Sequence, residues 1–195
     1  MIRRTHSHFE KKEAIFEKPI QRIRFRRVSK EIKPNSIVCD LGCGYNANFL
    51  FSIKNKIQKG VGIDFSVNKK LTTKKIKLVE QNLERSVPKN IGEFNFIFSL
   101  AVLEHLENPN VLISSAYNLL KPGGKIVLTT PHKKSKGVLE FLAYRLNLIS
   151  KTEISDHKHY YDQNSLMGLL KKHRFKNIKV STFGLGLNIF AKAEK

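Results

Sequence analysis

Asp40-Leu41-Gly42-Cys43-Gly44 places a carboxylate and two glycines where the apolar run Ile37-Val38-Cys39 ends. Glycines there permit a tight turn and let a ligand approach the backbone. About 20 residues on, Gly62-Ile63-Asp64 ends a second apolar run in another acid, where a carboxylate can accept both hydroxyls of a ribose. Four histidines follow at recurring positions: His105, His132, His157 and His159. A lone histidine is more often structural than catalytic. Several near one predicted rim suggest a general base, and His105 and then His157 are the leading candidates. No tight metal spacing such as H-E-x-x-H is present, so no metal is expected.

The glycine turn has two chemical readings. Gly42-Cys43-Gly44-Tyr45-Asn46-Ala47 satisfies the G-x-G-x-x-A dinucleotide fingerprint, which keeps an NAD-binding oxidoreductase as an alternative. Against it, Asp40 would crowd a pyrophosphate electrostatically, whereas the same acid suits a ligand carrying an ammonium group. The bland reading of Asp40 is a carboxylate that caps the following turn.

These residues need a scaffold that brings strand ends together. Residues 19–32 have helical spacing and stop before Pro34. Strands are expected at 36–40, 59–64, 76–80, 94–99 and 125–130, with a short helix over 48–54. A helix should open at Asn108 with Pro109 in its first turn and end at Lys121-Pro122-Gly123-Gly124. Such alternation implies a parallel sheet covered on both faces. Residues 137–149 read as an amphipathic lid helix, and Asp162 should cap another helix. Two final strands, 177–183 and 187–193, are joined by Gly184-Leu185-Gly186 and should be antiparallel neighbours, which a dinucleotide fold does not need.

The 195 residues fit one domain, and 41% apolar content can build its core. Its expected parts are a basic segment and helix (1–34), a cofactor-binding core (35–131), a lid and substrate segment (132–161), and a last helix with a hairpin (162–195). No run approaches the roughly 20 apolar residues of a membrane span, and Met1-Ile2-Arg3-Arg4 leads into no apolar signal core. Cys39 and Cys43 are too few for a disulfide scaffold and read as small residues in a reducing cytoplasm. The net charge of +20 fits either an anionic partner or a generally lysine-rich composition. Its densest stretch, 21–33, reads as a solvated helix face or as a phosphate rail.

In order along the chain, Val38-Cys39-Asp40-Leu41-Gly42-Cys43-Gly44, Gly62-Ile63-Asp64-Phe65-Ser66, Gln81-Asn82-Leu83-Glu84, the stretch from Phe94 through Leu106, and Leu119-Leu120-Lys121-Pro122-Gly123-Gly124 resemble the successive motifs of class I methyltransferases. The resemblance covers residues 35–131, with a compatible tail. It implies an α/β, doubly wound Rossmann-like sheet of seven strands in the order 3-2-1-4-5-7-6 with strand 7 antiparallel. It also implies S-adenosylmethionine as cofactor. Gly42 and Gly44 would give it backbone contact, Asp40 would face its amino group, and Asp64 would hold its ribose. Phe65 would pack near the adenine or in the core. Asn82 and Leu83 would frame the adenine, and Ser99 and Leu100 would line the pocket floor. Asn46 stands where the family often has a third glycine, and asparagine tolerates left-handed backbone.

The acceptor is read mostly from absences. There is no N/D-P-P-Y/F segment after strand four and no Pro-Cys nucleophile, which disfavours methylation of nucleic-acid bases. Thr130-Pro131-His132 and the tail are similar to small-molecule methyltransferases of quinone and glycan-associated type. An O-methyltransferase for a small or carrier-linked hydroxyl compound, an anionic one included, is the expectation. The lid leaves room for an apolar or membrane-borne acceptor through peripheral contact. The alternatives are an RNA methyltransferase using the 21–33 helix and a non-catalytic cofactor-binding protein.

Overall fold

The computed structural model describes residues 17–88, 90–141, 145 and 155–195. Seven strands form one sheet in the order β3-β2-β1-β4-β5-β7-β6. They are β1 (Ser36–Leu41), β2 (Ile57–Asp64), β3 (Ile76–Glu80), β4 (Phe94–Leu100), β5 (Leu120–Pro131), β6 (Lys176–Phe183) and β7 (Asn188–Glu194). The pairs β1–β2, β1–β4, β2–β3 and β4–β5 are parallel, and β7 runs antiparallel to both β5 and β6. This is the expected order and the expected single antiparallel strand.

The helices are α1 (Glu17–Ser29), α2 (Asn48–Ser52), α3 (Pro109–Leu119), α4 (Lys136–Glu140) and α5 (Gln163–Lys172). Each face of the sheet has its own core. One buries Leu41, Ile97 and Leu128 with Leu112 and Ala116 of α3 and Leu166 and Leu170 of α5. The other buries Val38, Phe98 and Phe190 with Val28 of α1 and Phe49 and Leu50 of α2. Central strands are therefore apolar on both faces, as parallel strands must be. Phe49 lies 5.0 Å from Phe98 edge-on, and Phe25 of α1 lies 5.1 Å from Phe49, so an aromatic chain fastens α1 through α2 to the sheet. Further along α1, Arg27 stacks on Phe190 at 3.8 Å and reaches Glu31 at 3.2 Å, and Glu31 accepts from Lys192 of β7 at 2.7 Å.

Local chemistry explains several boundaries. Asn108 accepts the Asn110 N–H at the start of α3, with Pro109 in the first turn. Asp162 and Ser165 form a reciprocal capping box on α5. Lys121-Pro122-Gly123-Gly124 lies within β5 rather than acting as a stop after α3, because strand pairing already begins at Leu120 beside Phe94. The expected lid helix over 137–149 is seen as α4, and residues 142–144 and 146–149 lie outside the described residues. No described helix is long and apolar enough to cross a membrane.

Candidate functional site

The carboxyl ends of β1, β2, β4 and β5 meet at one edge of the sheet, and the residues singled out in the sequence gather there. Gly42 (φ 86°) and Gly44 (φ 72°) both take left-handed backbone after β1. At Gly42 a Cβ would stand 2.2 Å from Val102 Cγ2, so the loop passes hard against the segment following β4. At Gly44 a Cβ would meet nothing within 4 Å, so the backbone faces open space. Asn46 does not carry the left-handed turn expected of it. Ala47 does (φ 47°), immediately before α2, because the 44–47 turn closes through the Ala47 N–H on the Gly44 carbonyl at 3.2 Å.

Asp64 Oδ2 accepts the Gly44 N–H at 2.8 Å. Asp40 is 2% exposed, and its Oδ1 is buried without a hydrogen-bond partner. Burial, helped by the charge of Asp64, pushes the Asp40 carboxyl up to about 8. A buried, unpaired carboxylate oxygen is expensive unless a donor arrives to meet it. An orphaned carboxylate oxygen near an open glycine cradle fits the ammonium end of S-adenosylmethionine.

The remaining expected contacts divide by exposure. Phe65 is 40% exposed after β2 and is not core. Asn82 shapes its loop by accepting the Glu84 N–H at 2.9 Å, while Leu83 is buried in the α3-side core. Ser99 is fully buried with an unpartnered Oγ, and Leu100 packs partly buried on the other face.

Beyond β4 lies a second cluster. His105 and His157 stand edge to face with ring centroids 4.9 Å apart. His105 Nδ1 is 3.4 Å from the Asp156 carbonyl oxygen and 3.5 Å from its carboxylate. His157 Nδ1 is 3.3 Å from the Tyr160 hydroxyl. Burial lowers the His157 pKa against the opposing charge of Asp156, which keeps the ring neutral near pH 7. His132 is held apart, accepting the Lys134 N–H on Nδ1, and His159 lies 3.4 Å from the Glu107 carbonyl.

Glu104 lies in the 3-10 turn after β4, Leu103–His105. Its buried carboxylate accepts from Thr130 Oγ1 at 3.0 Å, and its carbonyl accepts the Lys158 and His159 N–H groups. It thus binds β5 and the histidine-bearing 157–159 segment to the end of β4. Tyr161 is buried nearby with an unpartnered hydroxyl, and burial with the Glu104 charge pushes its pKa up to about 12. One ligand atom each of Glu104, His105 and His157 lies within 4.8 Å of the others, a spacing an ion could bridge.

A family model described as a methyltransferase domain matches residues 12–180. The chain belongs to that family. Its fold and ordered motifs are those of the class I S-adenosylmethionine-dependent methyltransferases. The ubiquinone biosynthesis O-methyltransferase of Dechloromonas aromatica is 32% identical over 113 residues, covering 52% of this chain and 47% of that protein. The phosphoethanolamine N-methyltransferase of Triticum aestivum is 29% identical over 134 residues, covering 58% of this chain and 24% of that protein. The methyltransferase here thus spans about half or less of the length of these two relatives. Among solved structures, phosphoethanolamine N-methyltransferase 2 of Haemonchus contortus in complex with S-adenosylmethionine superposes with a TM-score of 0.64 at 16% identity, over 88% of this chain and 52% of that one. An S-adenosylmethionine-dependent methyltransferase of Mesorhizobium loti gives 0.65 at 16% identity, over 88% and 95%. At such identity the likeness is one of fold.

Proposed function

We propose that this methyltransferase moves a methyl group from S-adenosylmethionine to a hydroxyl of a small or carrier-linked acceptor of quinone-like or sugar-like type. The observation that carries the reading is the His105–His157 pair beside the cofactor edge, with Asp156 and Tyr160 against it. A hydroxyl is a poor nucleophile until a base takes its proton, and a neutral histidine near pH 7 is suited to that. With its Nδ1 turned to Tyr160, His157 presents Nε2 to an acceptor. Asp156 orients His105 and stabilises it once protonated.

The cofactor supplies an electrophilic methyl group on a sulfonium. The chain's own residues position it. Asp40 would take the ammonium, Gly42 and Gly44 would bring the backbone close, Asp64 would take the ribose hydroxyls, and Phe65 with Asn82 and Leu83 would border the adenine. Ser99 and Leu100 would line the pocket floor. Alignment of acceptor and methyl then supplies much of the rate. The ubiquinone relative supports a hydroxyl acceptor, and the free, buried thiols of Cys39 and Cys43 suit a cytoplasmic setting.

The deciding experiment offers labelled S-adenosylmethionine with three acceptor sets: phenols, sugars, and phosphoethanolamine. Label on a phenol or sugar hydroxyl, lost in His157→Ala, is the expected result. Label on phosphoethanolamine alone would replace the hydroxyl reading with an amine one.

A further inference from the structure

The +20 charge is not spread evenly over this molecule. Asp40, Asp64, Glu80, Glu84, Glu104 and Glu107 all stand at or just beyond the carboxyl ends of strands. The opposite edge, where strands begin, is lysine-rich. Across the sheet in spatial order, Lys75 precedes β3, Lys56 precedes β2, Lys33 lies just before β1, Lys121 stands at the start of β5, and Lys176 opens β6. Lys33, Lys56, Lys75 and Lys176 are exposed, and none of the five is in an ion pair among the described residues. Strand pairing thus brings lysines that are scattered through the sequence to one edge of the sheet.

Two grooves open along this edge and share Lys125. One, of about 310 Å3, runs between Lys33 and Lys121, and the β4 strand between them is preceded by Glu93 rather than by a lysine. The other, of about 420 Å3, continues past Lys179 and Lys192. Their combined lining holds five lysines; Lys125 lies 3.8 Å from Glu194 and Lys192 pairs with Glu31 at 2.7 Å, while Lys33, Lys121 and Lys179 are in no ion pair among the described residues. In the first groove Asn95 accepts the Ile37 N–H at 2.8 Å. The result is a cationic trough lined also by Asn35, Asn95 and Asn177.

We infer that this trough holds the sugar–phosphate backbone of a nucleic acid, as a docking surface and not as a substrate site. Phosphate contacts give affinity without reading sequence. Phe96 is 4% exposed, so the trough offers no aromatic face for base stacking and its contacts are with phosphates alone. A membrane surface fits less well, because among the described residues none of the exposed large apolar side chains (Ile23, Phe65, Val138, Phe141 and Leu185) borders the trough. The trough and the Gly42–Gly44 cradle lie at opposite ends of β1, a strand of six residues or about 20 Å. Docked strand and bound cofactor therefore do not compete.

The test is fluorescence anisotropy of a short labelled single-stranded RNA with the full chain, with and without S-adenosylmethionine. Lys33→Glu with Lys121→Glu should lower affinity at least tenfold and flatten the slope of log affinity against log salt by about 1.4, or about 0.7 per lost phosphate contact. Lys70→Glu with Lys134→Glu, a charge-matched change at the other edge, should leave both nearly unchanged. Lys33→Gln with Lys121→Gln should give a smaller loss in the same direction, and unchanged melting temperatures exclude misfolding. The inference is overturned by no RNA binding at about 50 mM salt, a regime that favours such contacts. Equal loss in both reversed pairs would also overturn it, as would displacement of the RNA by S-adenosylmethionine. So would tighter binding to phosphatidylglycerol vesicles than to RNA. The outcome is independent of the acceptor assigned above.

Discussion

The Gly44 N–H donates to Asp64 Oδ2 at 2.8 Å, so the acid that ends β2 also fixes the loop that ends β1. With the proposed ribose contact, this one carboxylate would have two duties, and they can be separated. In Asp64→Asn an amide oxygen still accepts the Gly44 N–H, but the charged grip on a ribose is gone. Hydrogen bonds to charged groups contribute about 1.5–3 kcal/mol. S-adenosylmethionine affinity should thus fall roughly ten- to hundredfold by calorimetry while the melting temperature barely moves. Asp64→Ala should lose both.

Asp40 predicts a proton signal. Its folded pKa of about 8 lies above the ordinary 3.8, so the free protein holds a proton there at pH 7 that an arriving ammonium group must displace. Calorimetry in two buffers of different ionisation enthalpy should show proton release on cofactor binding, absent in Asp40→Asn. The sign for stability follows from the raised value. The contribution is fully present below the unfolded pKa and is lost as pH rises through about 8. Ligand-free protein should melt lower at pH 9 than at pH 6, and Asp40→Asn should flatten that difference.

Gly42 and Val102 form a steric lock. Gly42→Ala introduces a Cβ 2.2 Å from Val102 Cγ2 on a backbone at φ 86°. Overpacking of this kind typically costs about 1–3 kcal/mol. Urea unfolding should show that loss, and Val102→Ala in the same chain should recover the steric part but not the part due to φ. Full recovery would mean that the left-handed backbone costs nothing here.

For the histidine pair, His105→Ala and His157→Ala should each lower kcat by roughly 10²–10⁴ without a matching loss of cofactor affinity. Burial lowers the His157 pKa below 6.5, so kcat should hold near neutrality and fall at lower pH as the ring gains its proton. The same shift makes the His157 contribution to stability complete above pH 6.5 and lost as pH falls through the depressed folded value. A chelator should leave kcat unchanged. Activity abolished by chelator and restored by a divalent cation would instead assign Glu104, His105 and His157 to an ion.

Much of the fold was legible because its signals are local. Apolar runs ending in Asp40 and Asp64, Pro109 after Asn108, and the Gly184–Gly186 link each report on a few consecutive residues. The site was legible to the level of which strand ends carry it. What escaped notice depends on distant partners. The Thr130–Glu104 hydrogen bond joins β5 to the turn after β4, and the pairing of His105 with His157 depends on the course of the chain between them. The left-handed residue after the glycine turn was misplaced by one position, from Asn46 to Ala47, because residue preference pointed to asparagine whereas the hydrogen-bonded closure on Gly44 selects the next residue. The lysine trough went unseen for another reason. Its members are scattered through the sequence, and only the strand order aligns them.

The order in which the chain can assemble follows from where β7 sits. It is inserted between β5 and β6, so β6 emerges first yet has no sheet edge to join until its younger partner arrives. The hairpin must therefore add as a unit. Arg27 and Glu31 of the α1 region likewise wait for Phe190 and Lys192, a lysine 161 positions further along the chain than Glu31. Phe25 can meet Phe49, and Phe49 can meet Phe98, much sooner, so only the Arg27–Glu31 end of this region is among the last parts to settle. During synthesis, that end stays without its β7 partners until the final hairpin has formed, an interval in which the growing chain is open to aggregation and to proteases.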